Sequence, residues 1–244
     1  MGNKKIKRSI FLTALLVFSV CYSSFAQLKA YNEKSGYSYW VRMPKEVAKK
    51  EKVPVIIFLH GRSLSGHDLS RVKRYGVLRA IERGKDLDAI VVAPQTANGW
   101  DPDKVMEVLD KVEKDYPVDK ERIYVCGMSM GGYGTIDVAG KYPDRIAAAV
   151  AICGGGSLKY ACNLTKVPLW VQHGTNDRAV PASESKKIVN AIRSCNEGAD
   201  VKLTLITGGT HGSVERLFHQ QEIYKWMFGY KKEVNSEMTA RATP

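Results

Sequence analysis

The sequence predicts an α/β domain built on a mostly parallel, doubly wound β-sheet with helices on both faces. Two observations support this fold class. Some segments are almost wholly apolar, as in residues 53–59, which is typical of strands buried on both faces. Segments between them have apolar residues at helical spacing, as in residues 103–116. Strands that alternate with helices along the chain favour a mostly parallel sheet covered on both sides.

The predicted elements follow one another in a regular order. Residues 36–43, with Tyr37, Tyr39 and Val41 at alternate positions, predict an early antiparallel strand. The later strands are expected to be buried and parallel. In chain order the sequence predicts strand 53–59, helix 69–83, strand 89–93, helix 103–116, a strand that runs into Gly127, helix 132–142, strand 147–152, strand 167–172, helix 183–194, strand 201–205 and helix 213–227.

The first 26 residues have the composition of a secretory signal peptide. Four basic residues precede an apolar run at 10–20, and Ser24-Phe25-Ala26 is a small-x-small cleavage site. The run is shorter than the about 20 residues that span a bilayer. A lipoprotein signal ending at Cys21 is the alternative, but small residues do not precede this cysteine as they normally do. We therefore expect an exported bacterial protein, periplasmic or extracellular, without a stable membrane insertion after cleavage.

The rest of the chain is predicted to be one domain at 27–230 with a loose polar tail at 231–244. Its length suits a single hydrophobic core. The formal net charge is +12, but basic and acidic residues are interleaved, as at 45–52. This pattern is typical of a solvated surface rather than a nucleic-acid interface, so no nucleic-acid partner is expected.

Four cysteines follow the predicted signal peptide. Cys126 lies in a predicted strand and is interpreted as a small core residue. Cys162 and Cys195 lie at the edges of predicted elements and are candidates for a disulfide in an oxidising compartment, although the sequence does not decide whether they pair. No spacing of cysteine and histidine suggests a metal site, and we expect no cofactor.

The motif Gly127-Met128-Ser129-Met130-Gly131 carries the clearest chemical signal. It follows an apolar strand and precedes a predicted helix, an arrangement that exposes the serine on a tight turn. Asp177 and His211 follow two later predicted strands. Because the carboxyl ends of parallel strands meet at one edge of a sheet, these residues are expected to lie close together. The sequence therefore predicts Ser129 as nucleophile, His211 as base and Asp177 as the acid that orients it.

Other residues of the same types are the competing candidates for these roles. His219 is a rival base, but it falls inside the predicted last helix, where a surface position is expected. His60 and His173 each close a strand before a glycine and are interpreted as structural parts of their loops. Asp101 and Asp200 are rival acids. Neither follows a buried strand at the required place.

These motifs, in the order serine, acid, histidine, resemble the α/β-hydrolase superfamily. The resemblance covers about residues 53–228. Within the superfamily, the chain most resembles small lidless secreted esterases. These are the feruloyl and acetyl-xylan esterases, the polyhydroxybutyrate depolymerase-like enzymes, and the phospholipase/carboxylesterase group related to dienelactone hydrolases. Dienelactone hydrolases proper have a cysteine nucleophile where this chain has Ser129. The motifs that carry the resemblance are Phe58-Leu59-His60-Gly61, Gly127-Met128-Ser129-Met130-Gly131-Gly132-Tyr133-Gly134, His173-Gly174-Thr175-Asn176-Asp177 and Gly209-Thr210-His211-Gly212.

The resemblance implies hydrolysis of a carboxylic ester through an acyl-enzyme. The oxyanion is expected to meet the backbone N–H of Met130 and that of Arg62. Trp100 and Tyr133 are candidate substrate contacts, and core packing is the alternative for both. The short spacing between the motifs leaves no room for a cap domain, so an open site is expected.

An open site and export favour acyl esters displayed on carbohydrates, such as a plant polysaccharide, or small soluble esters as substrates. The choice of carbohydrate rests on family resemblance alone. Two alternatives stay open. One is a serine peptidase of the prolyl-oligopeptidase type, which shares these motifs. The other is a non-catalytic descendant that binds glycans on the same scaffold.

Overall fold

A computed structural model describes residues 28–45 and 52–232. The predicted signal peptide at 1–26 and most of the predicted tail, from residue 233 onward, lie outside the described residues. Within the described ranges, no helix is both long and apolar enough to cross a bilayer.

The described residues form eight strands: β1 (Leu28–Tyr31), β2 (Tyr39–Arg42), β3 (Val53–Leu59), β4 (Ile90–Pro94), β5 (Val118–Met128), β6 (Ala148–Ile152), β7 (Leu169–Gly174) and β8 (Val201–Ile206). They join in one sheet in the order β1-β2-β4-β3-β5-β6-β7-β8. β1 and β2 pair antiparallel, as do β2 and β4, whereas β3 to β8 are parallel. The predicted early antiparallel strand is β2, and the predicted fold class is confirmed.

The edge strand β1 has no counterpart among the predicted elements. Three of its four residues are exposed, so it has neither the apolar run nor the clean alternation that marks a strand in a sequence. Its conformation depends instead on its partner. Leu28 pairs with Arg42 and Tyr31 pairs with Tyr39, and the two tyrosine rings stack with centroids 4.8 Å apart.

The α-helices lie where the apolar spacing predicts them, with two exceptions. The described helices are α1 (Val77–Glu82), α2 (Pro102–Asp115), α3 (Met130–Lys141), α4 (Ala182–Cys195) and α5 (Glu222–Phe228). The expected helix 213–227 is divided into a 3₁₀ segment, Ser213–His219, and α5. The expected helix 69–83 is divided likewise into a 3₁₀ segment, Leu69–Lys73, and α1.

Gly76 explains the second division. Its φ is +79°, a left-handed value that stops the helical turn and favours glycine. A Cβ at this position would also lie 2.0 Å from the Phe58 ring. The chain therefore bends here, and the bend carries the neighbouring Tyr75 toward the C-terminal ends of the strands.

Two apolar layers, one on each face of the sheet, form the core. Successive side chains of a strand point to opposite faces. On β3, Val55 and Ile57 pack with the inner faces of α2, α3 and α4, whereas Ile56 and Phe58 pack with α1 and α5. All seven residues of β3 are buried, as its apolar run predicts. Cys126 is buried in the second layer, which confirms that it is a core residue.

The predicted tail begins with two residues that contact the domain. Lys231 forms an ion pair with Glu121. The backbone N–H of Lys232 donates to the Glu121 carbonyl oxygen at 2.8 Å, and its Nζ donates to the Pro143 carbonyl oxygen at 2.7 Å. Residues 231 and 232 are therefore attached to the surface beside β5.

A disulfide joins Cys162 to Cys195, across a sequence separation of 33 residues. Cys162 precedes the 3₁₀ turn Asn163–Lys166, and Cys195 is the last residue of α4. The bond therefore ties the connection between β6 and β7 to the end of the helix that follows β7. The pairing that the sequence left undecided is present in the structure.

We expect the double variant Cys162→Ser/Cys195→Ser to lose about 3–4 kcal/mol of unfolding free energy, because a cross-link of this span restricts the unfolded chain. Urea denaturation followed by circular dichroism measures the loss. Wild-type protein unfolded in the presence of a reductant is the control and should match the double variant. Equal midpoints for oxidised wild type and the double variant would contradict the expectation.

Candidate active site

Ser129 lies on a strained turn between β5 and α3. Its φ is 59° and its ψ is −122°, a conformation that a serine rarely adopts. The turn is tight because the backbones around it nearly touch. A Cβ on Gly127 would lie 2.4 Å from the Gly131 carbonyl oxygen, and a Cβ on Gly131 would lie 1.8 Å from the Leu59 carbonyl oxygen. Both glycines of the motif are therefore required by close backbone approach.

Asp177 and His211 form a short hydrogen bond at the ends of β7 and β8. His211 Nδ1 lies 2.7 Å from Asp177 Oδ2. The other carboxylate oxygen, Oδ1, accepts the N–H groups of Ala179 and Val180, each at 2.9 Å. His211 and Ser129 line the same cavity, whose volume is about 890 Å³. The structure thus brings together the three residues that the sequence singles out.

The electrostatic surroundings of Asp177 keep its carboxylate ionised. Burial alone would raise the pKa of this carboxyl. The hydrogen bonds from Val180, His211, Cys153 and Ala179 outweigh burial and lower the pKa below its ordinary value. A buried carboxylate with its oxygens this fully engaged is fixed in position as well as in charge.

Cys153 is a neighbour of Asp177 that the sequence reasoning missed. Burial raises the pKa of its thiol to about 12, so the thiol keeps its proton and can donate to the carboxylate. Its position in the sequence could have indicated this contact. Cys153 directly follows β6, which lies in the sheet between β5, the strand before Ser129, and β7, the strand before Asp177. Its φ of 48° shows that the chain turns sharply there.

His173 completes the group around Asp177. Atoms of Cys153, His173 and Asp177 that could bind a metal ion lie within 4.8 Å of one another. However, His173 Nε2 lies 2.9 Å from the Val180 carbonyl oxygen, and its Nδ1 lies 2.7 Å from Ser185 Oγ. With the thiol protonated as well, these groups are engaged in hydrogen bonds that shape the aspartate loop. His173 therefore has the structural place that the sequence interpretation assigned to it.

Two residues that line the cavity beside Ser129 begin separate helical turns. Met130 is the first residue of α3, and Arg62 is the first residue of the 3₁₀ turn Arg62–Leu64. The first N–H groups of a helix have no acceptor within it. The loop of Arg62 lies against the nucleophile, since a Cβ on Gly61 would be 3.4 Å from the Ser129 Cβ.

His60 orients the peptide group between Gly61 and Arg62. Its Nε2 accepts the Thr96 N–H at 3.1 Å, so its Nδ1 carries the proton and donates to the Gly61 carbonyl oxygen at 2.8 Å. The C=O and N–H of a trans peptide point in opposite directions. The Arg62 N–H is therefore turned away from His60, and both Gly61 and Arg62 line the cavity.

The aromatic residues proposed as substrate contacts occupy different places. Tyr133 lines the cavity, and its hydroxyl donates to Glu184 Oε2 at 3.2 Å. Trp100 is not among the residues that line the cavity. Its Nε1 donates to the His60 carbonyl oxygen at 3.0 Å, and its ring packs edge-on against His60 and Tyr37. For Trp100 the packing alternative is therefore correct: it supports the loop of His60 from behind.

The rival acids and bases have other partners. His219 Nε2 lies 3.3 Å from Glu215 Oε1, and His219 ends a 3₁₀ segment rather than lying inside a helix. Asp101 caps the N-terminus of α2 by accepting the Asp103 N–H at 2.9 Å. Asp200 interacts with the Tyr230 hydroxyl.

A family model described as phospholipase/carboxylesterase matches residues 102–226, just over half of the chain. The chain belongs to the phospholipase/carboxylesterase family. The resemblance to α/β-hydrolase esterases that its motifs suggested is confirmed.

Individual members of the wider superfamily show the same relationship. The chain is 30% identical over 181 residues to the bifunctional acetylxylan esterase/xylanase XynS20E of Neocallimastix patriciarum, covering 69% of this chain and 26% of that protein. It is 22% identical over 233 residues to the uncharacterized peptidase YuxL of Bacillus subtilis (strain 168), covering 76% and 35%. A thermostable esterase of known structure has a TM-score of 0.70 at 26% identity, covering 85% of this chain and 63% of that one. The chain therefore spans less than two thirds of each relative.

The neutral state of His60 predicts a pH dependence of stability. Burial lowers the pKa of His60 from 6.5 to about 4 in the folded protein. Because the unfolded chain binds this proton more readily, the stabilisation is complete above pH 6.5 and is lost as the pH falls toward 4. The loss attributable to His60 should reach about 3 kcal/mol.

Urea unfolding of wild type and His60→Asn at pH 7, 6, 5 and 4 measures this effect. The variant should show a shallower decline over that interval. Asp177 titrates below its ordinary value of 3.8 and so adds little to this window. His67→Asn, at an exposed histidine of the same loop, is the matched control and should follow wild type. Parallel curves for wild type and His60→Asn would refute the assignment of a neutral His60.

Proposed function

We propose that the protein is an exported serine carboxyl-ester hydrolase with Ser129, His211 and Asp177 as its catalytic triad. The observation that carries the proposal is the hydrogen bond between His211 and Asp177 at the wall of the cavity into which the strained Ser129 turn opens. A histidine oriented by a buried carboxylate, in the same cavity as a half-buried serine, is suited to activating that serine.

In the acylation step, Ser129 Oγ attacks the ester carbonyl carbon while His211 Nε2 takes the hydroxyl proton. Asp177 accepts a hydrogen bond from His211 Nδ1 throughout, which fixes the tautomer and stabilises the imidazolium. The imidazolium then gives its proton to the leaving alkoxide, which departs as the alcohol. Water repeats the sequence on the acyl-enzyme and releases the acid, with Ser129 regenerated.

The negative charge of each tetrahedral intermediate would be stabilised by the N–H groups of Met130 and Arg62. Both belong to the first residues of helical turns, so they are free of intrahelical acceptors and are held in place before the substrate binds. His60 and Leu64 both donate to the carbonyl oxygen of the Gly61–Arg62 peptide, at 2.8 and 3.1 Å, which polarises the Arg62 N–H.

Esters carried by carbohydrates are the substrate class that we favour, with small soluble esters as the broader class. The described connections from β5 to β7 and from β7 to β8 contain single helices and short loops, without an inserted cap. An acyl group on a polymer could therefore reach the cavity. The similarity to a protein named as an acetylxylan esterase supports the same choice.

Export is supported by two independent features. The N-terminal 26 residues have the pattern of a signal peptide. The disulfide between Cys162 and Cys195 supports the same proposal, because such bonds form and persist in oxidising compartments, including the periplasm and the extracellular medium.

The experiment compares p-nitrophenyl acetate, methyl ferulate, acetylated xylan and a peptide p-nitroanilide as substrates of wild type and Ser129→Ala. We expect ester hydrolysis by wild type and labelling of Ser129 by a fluorophosphonate probe. Peptide hydrolysis without ester hydrolysis would favour the peptidase alternative, for which the similarity to YuxL is the supporting observation. A folded protein that neither labels nor hydrolyses any of these would support the glycan-binding alternative.

Replacing each of the two competing histidines distinguishes the proposed base. His211→Ala should lower kcat by about 10⁴–10⁶, because the serine loses the group that removes its proton. His219→Ala should keep most of the activity, since His219 lies 3.3 Å from Glu215 Oε1 and is not among the residues that line this cavity. Steady-state kinetics on p-nitrophenyl acetate gives both values. A large loss in His219→Ala together with an active His211→Ala would reverse the assignment.

A further inference from the structure

Tyr75 is a cavity residue that the mechanism has not used. It lies in the bend between the 3₁₀ segment Leu69–Lys73 and α1, next to Gly76, and it lines the same cavity as Ser129. Its ring is half-buried, and burial raises the pKa of its hydroxyl, so the phenol is neutral and keeps its proton.

The hydroxyl oxygen of Tyr75 lies close to the nucleophile. A Cβ placed on Gly61 would be 2.7 Å from the Tyr75 hydroxyl and 3.4 Å from the Ser129 Cβ. The hydroxyl and the serine therefore flank the same face of Gly61. Arg62, whose N–H is assigned to the oxyanion, is the next residue along this loop.

The hydrogen bonds at this oxygen leave its own proton available. The Gly61 N–H donates to it at 2.8 Å, and Ser63 Oγ lies 3.4 Å from it in the position of a donor. Both neighbours act as donors, so the oxygen is the acceptor in each contact. Among the residues that the structure describes, the Tyr75 proton has no acceptor in hydrogen-bond contact. A donor without an acceptor on the wall of a reaction cavity is available to a ligand.

We propose that the Tyr75 hydroxyl is a third hydrogen-bond donor to the oxyanion, beside the N–H groups of Met130 and Arg62. This inference rests on the proposed ester hydrolysis. The Tyr75 proton stays on its oxygen throughout the reaction, and the hydrogen bond strengthens as the carbonyl oxygen gains negative charge. Donation from Gly61 N–H into the same hydroxyl makes its O–H a better donor, because linked hydrogen bonds polarise one another.

Tyr133 provides the matched control within the same cavity. It also lines the wall, but its hydroxyl proton is already donated to Glu184 Oε2 at 3.2 Å. Tyr75→Phe and Tyr133→Phe each remove one oxygen atom from the cavity wall. The two variants differ in the hydrogen bond that is lost. The Tyr133 proton is donated to a carboxylate in wild type, whereas the Tyr75 proton is not.

The first experiment measures kcat for p-nitrophenyl acetate and the affinity for an alkyl trifluoromethyl ketone, which forms a tetrahedral adduct with a catalytic serine. Tyr75→Phe should lower kcat and the affinity for this inhibitor in parallel, by about 10²-fold, as expected for loss of one oxyanion donor. Tyr133→Phe can change KM through its place on the cavity wall, but it should not produce this parallel loss of kcat and inhibitor affinity, because its proton is already donated to Glu184 Oε2. Thermal unfolding of each variant verifies that it is folded.

A second variant separates donation to the oxyanion from mere anchoring of the Gly61 loop. Replacement of Tyr75 by 3-fluorotyrosine makes the hydroxyl a stronger donor and a weaker acceptor. At pH 6, where the fluorinated phenol is neutral, direct donation predicts tighter binding of the trifluoromethyl ketone. Anchoring through the Gly61 N–H predicts weaker binding, because the hydroxyl would accept that hydrogen bond less well.

The outcomes are distinct from those that test the proposed function. Wild-type ester hydrolysis with an unchanged kcat in Tyr75→Phe would overturn the role of Tyr75 and leave the triad in place. Weaker inhibitor binding by the fluorotyrosine variant would overturn it in favour of a positioning role. A wild type without esterase activity would instead contradict the proposed function itself.

Discussion

The close approach of the α3 N-terminus to the end of β3 is the constraint on which the rest of the site depends. The backbone at Gly131 lies so near the Leu59 carbonyl oxygen that even a methyl group would overlap it, at 1.8 Å. This contact brings the serine turn against the loop that follows β3. Because of it, Met130 and Arg62, which belong to elements distant in sequence, line the same cavity as Ser129. A larger residue at either glycine of the turn would separate them.

The polar groups behind the cavity fix the positions of neighbouring groups and do not themselves react. Asp177 accepts hydrogen bonds at both oxygens, His60 is kept neutral by burial, and the Cys153 thiol stays protonated. Each of these buried groups has a defined donor or acceptor role. Such preorganisation removes the need to reorient dipoles when charge develops on the substrate, which is the main electrostatic advantage of an enzyme site over water.

The sequence predicts most of the fold because buried elements have recognisable local patterns of apolar residues. Val53–Leu59 is predicted to the residue, since a strand covered on both faces must be apolar throughout. β1 has no such pattern, because most of its residues are exposed. Its strand conformation depends on its pairing with β2. The division of the helix expected at 69–83 depends on Gly76 meeting the Phe58 ring, a contact between residues far apart in sequence.

The same distinction applies to the site. The serine, aspartate and histidine could be identified from strand-end positions, because parallel strands align their carboxyl ends. Trp100, Cys153 and Tyr75 could not be assigned in this way. Their roles depend on which atoms they meet across the sheet, such as the His60 carbonyl oxygen for Trp100. Sequence reasoning therefore singles out the proposed reacting groups more readily than the groups that position them.

Arg62 contributes different atoms to the proposed bond chemistry and to substrate choice. Its backbone N–H is oriented by the bonds that His60 and Leu64 make to the preceding carbonyl oxygen, whatever the side chain at this position. Its side chain is exposed and belongs to the cavity wall together with Tyr133 and Glu215. In the proposed reaction the backbone therefore stabilises the oxyanion, while side chains on the wall select the acyl group and alcohol that fit beside it. The proposed bond chemistry and substrate choice thus reside in different atoms of the same loop, so a change of side chain can alter the substrate without altering the reaction.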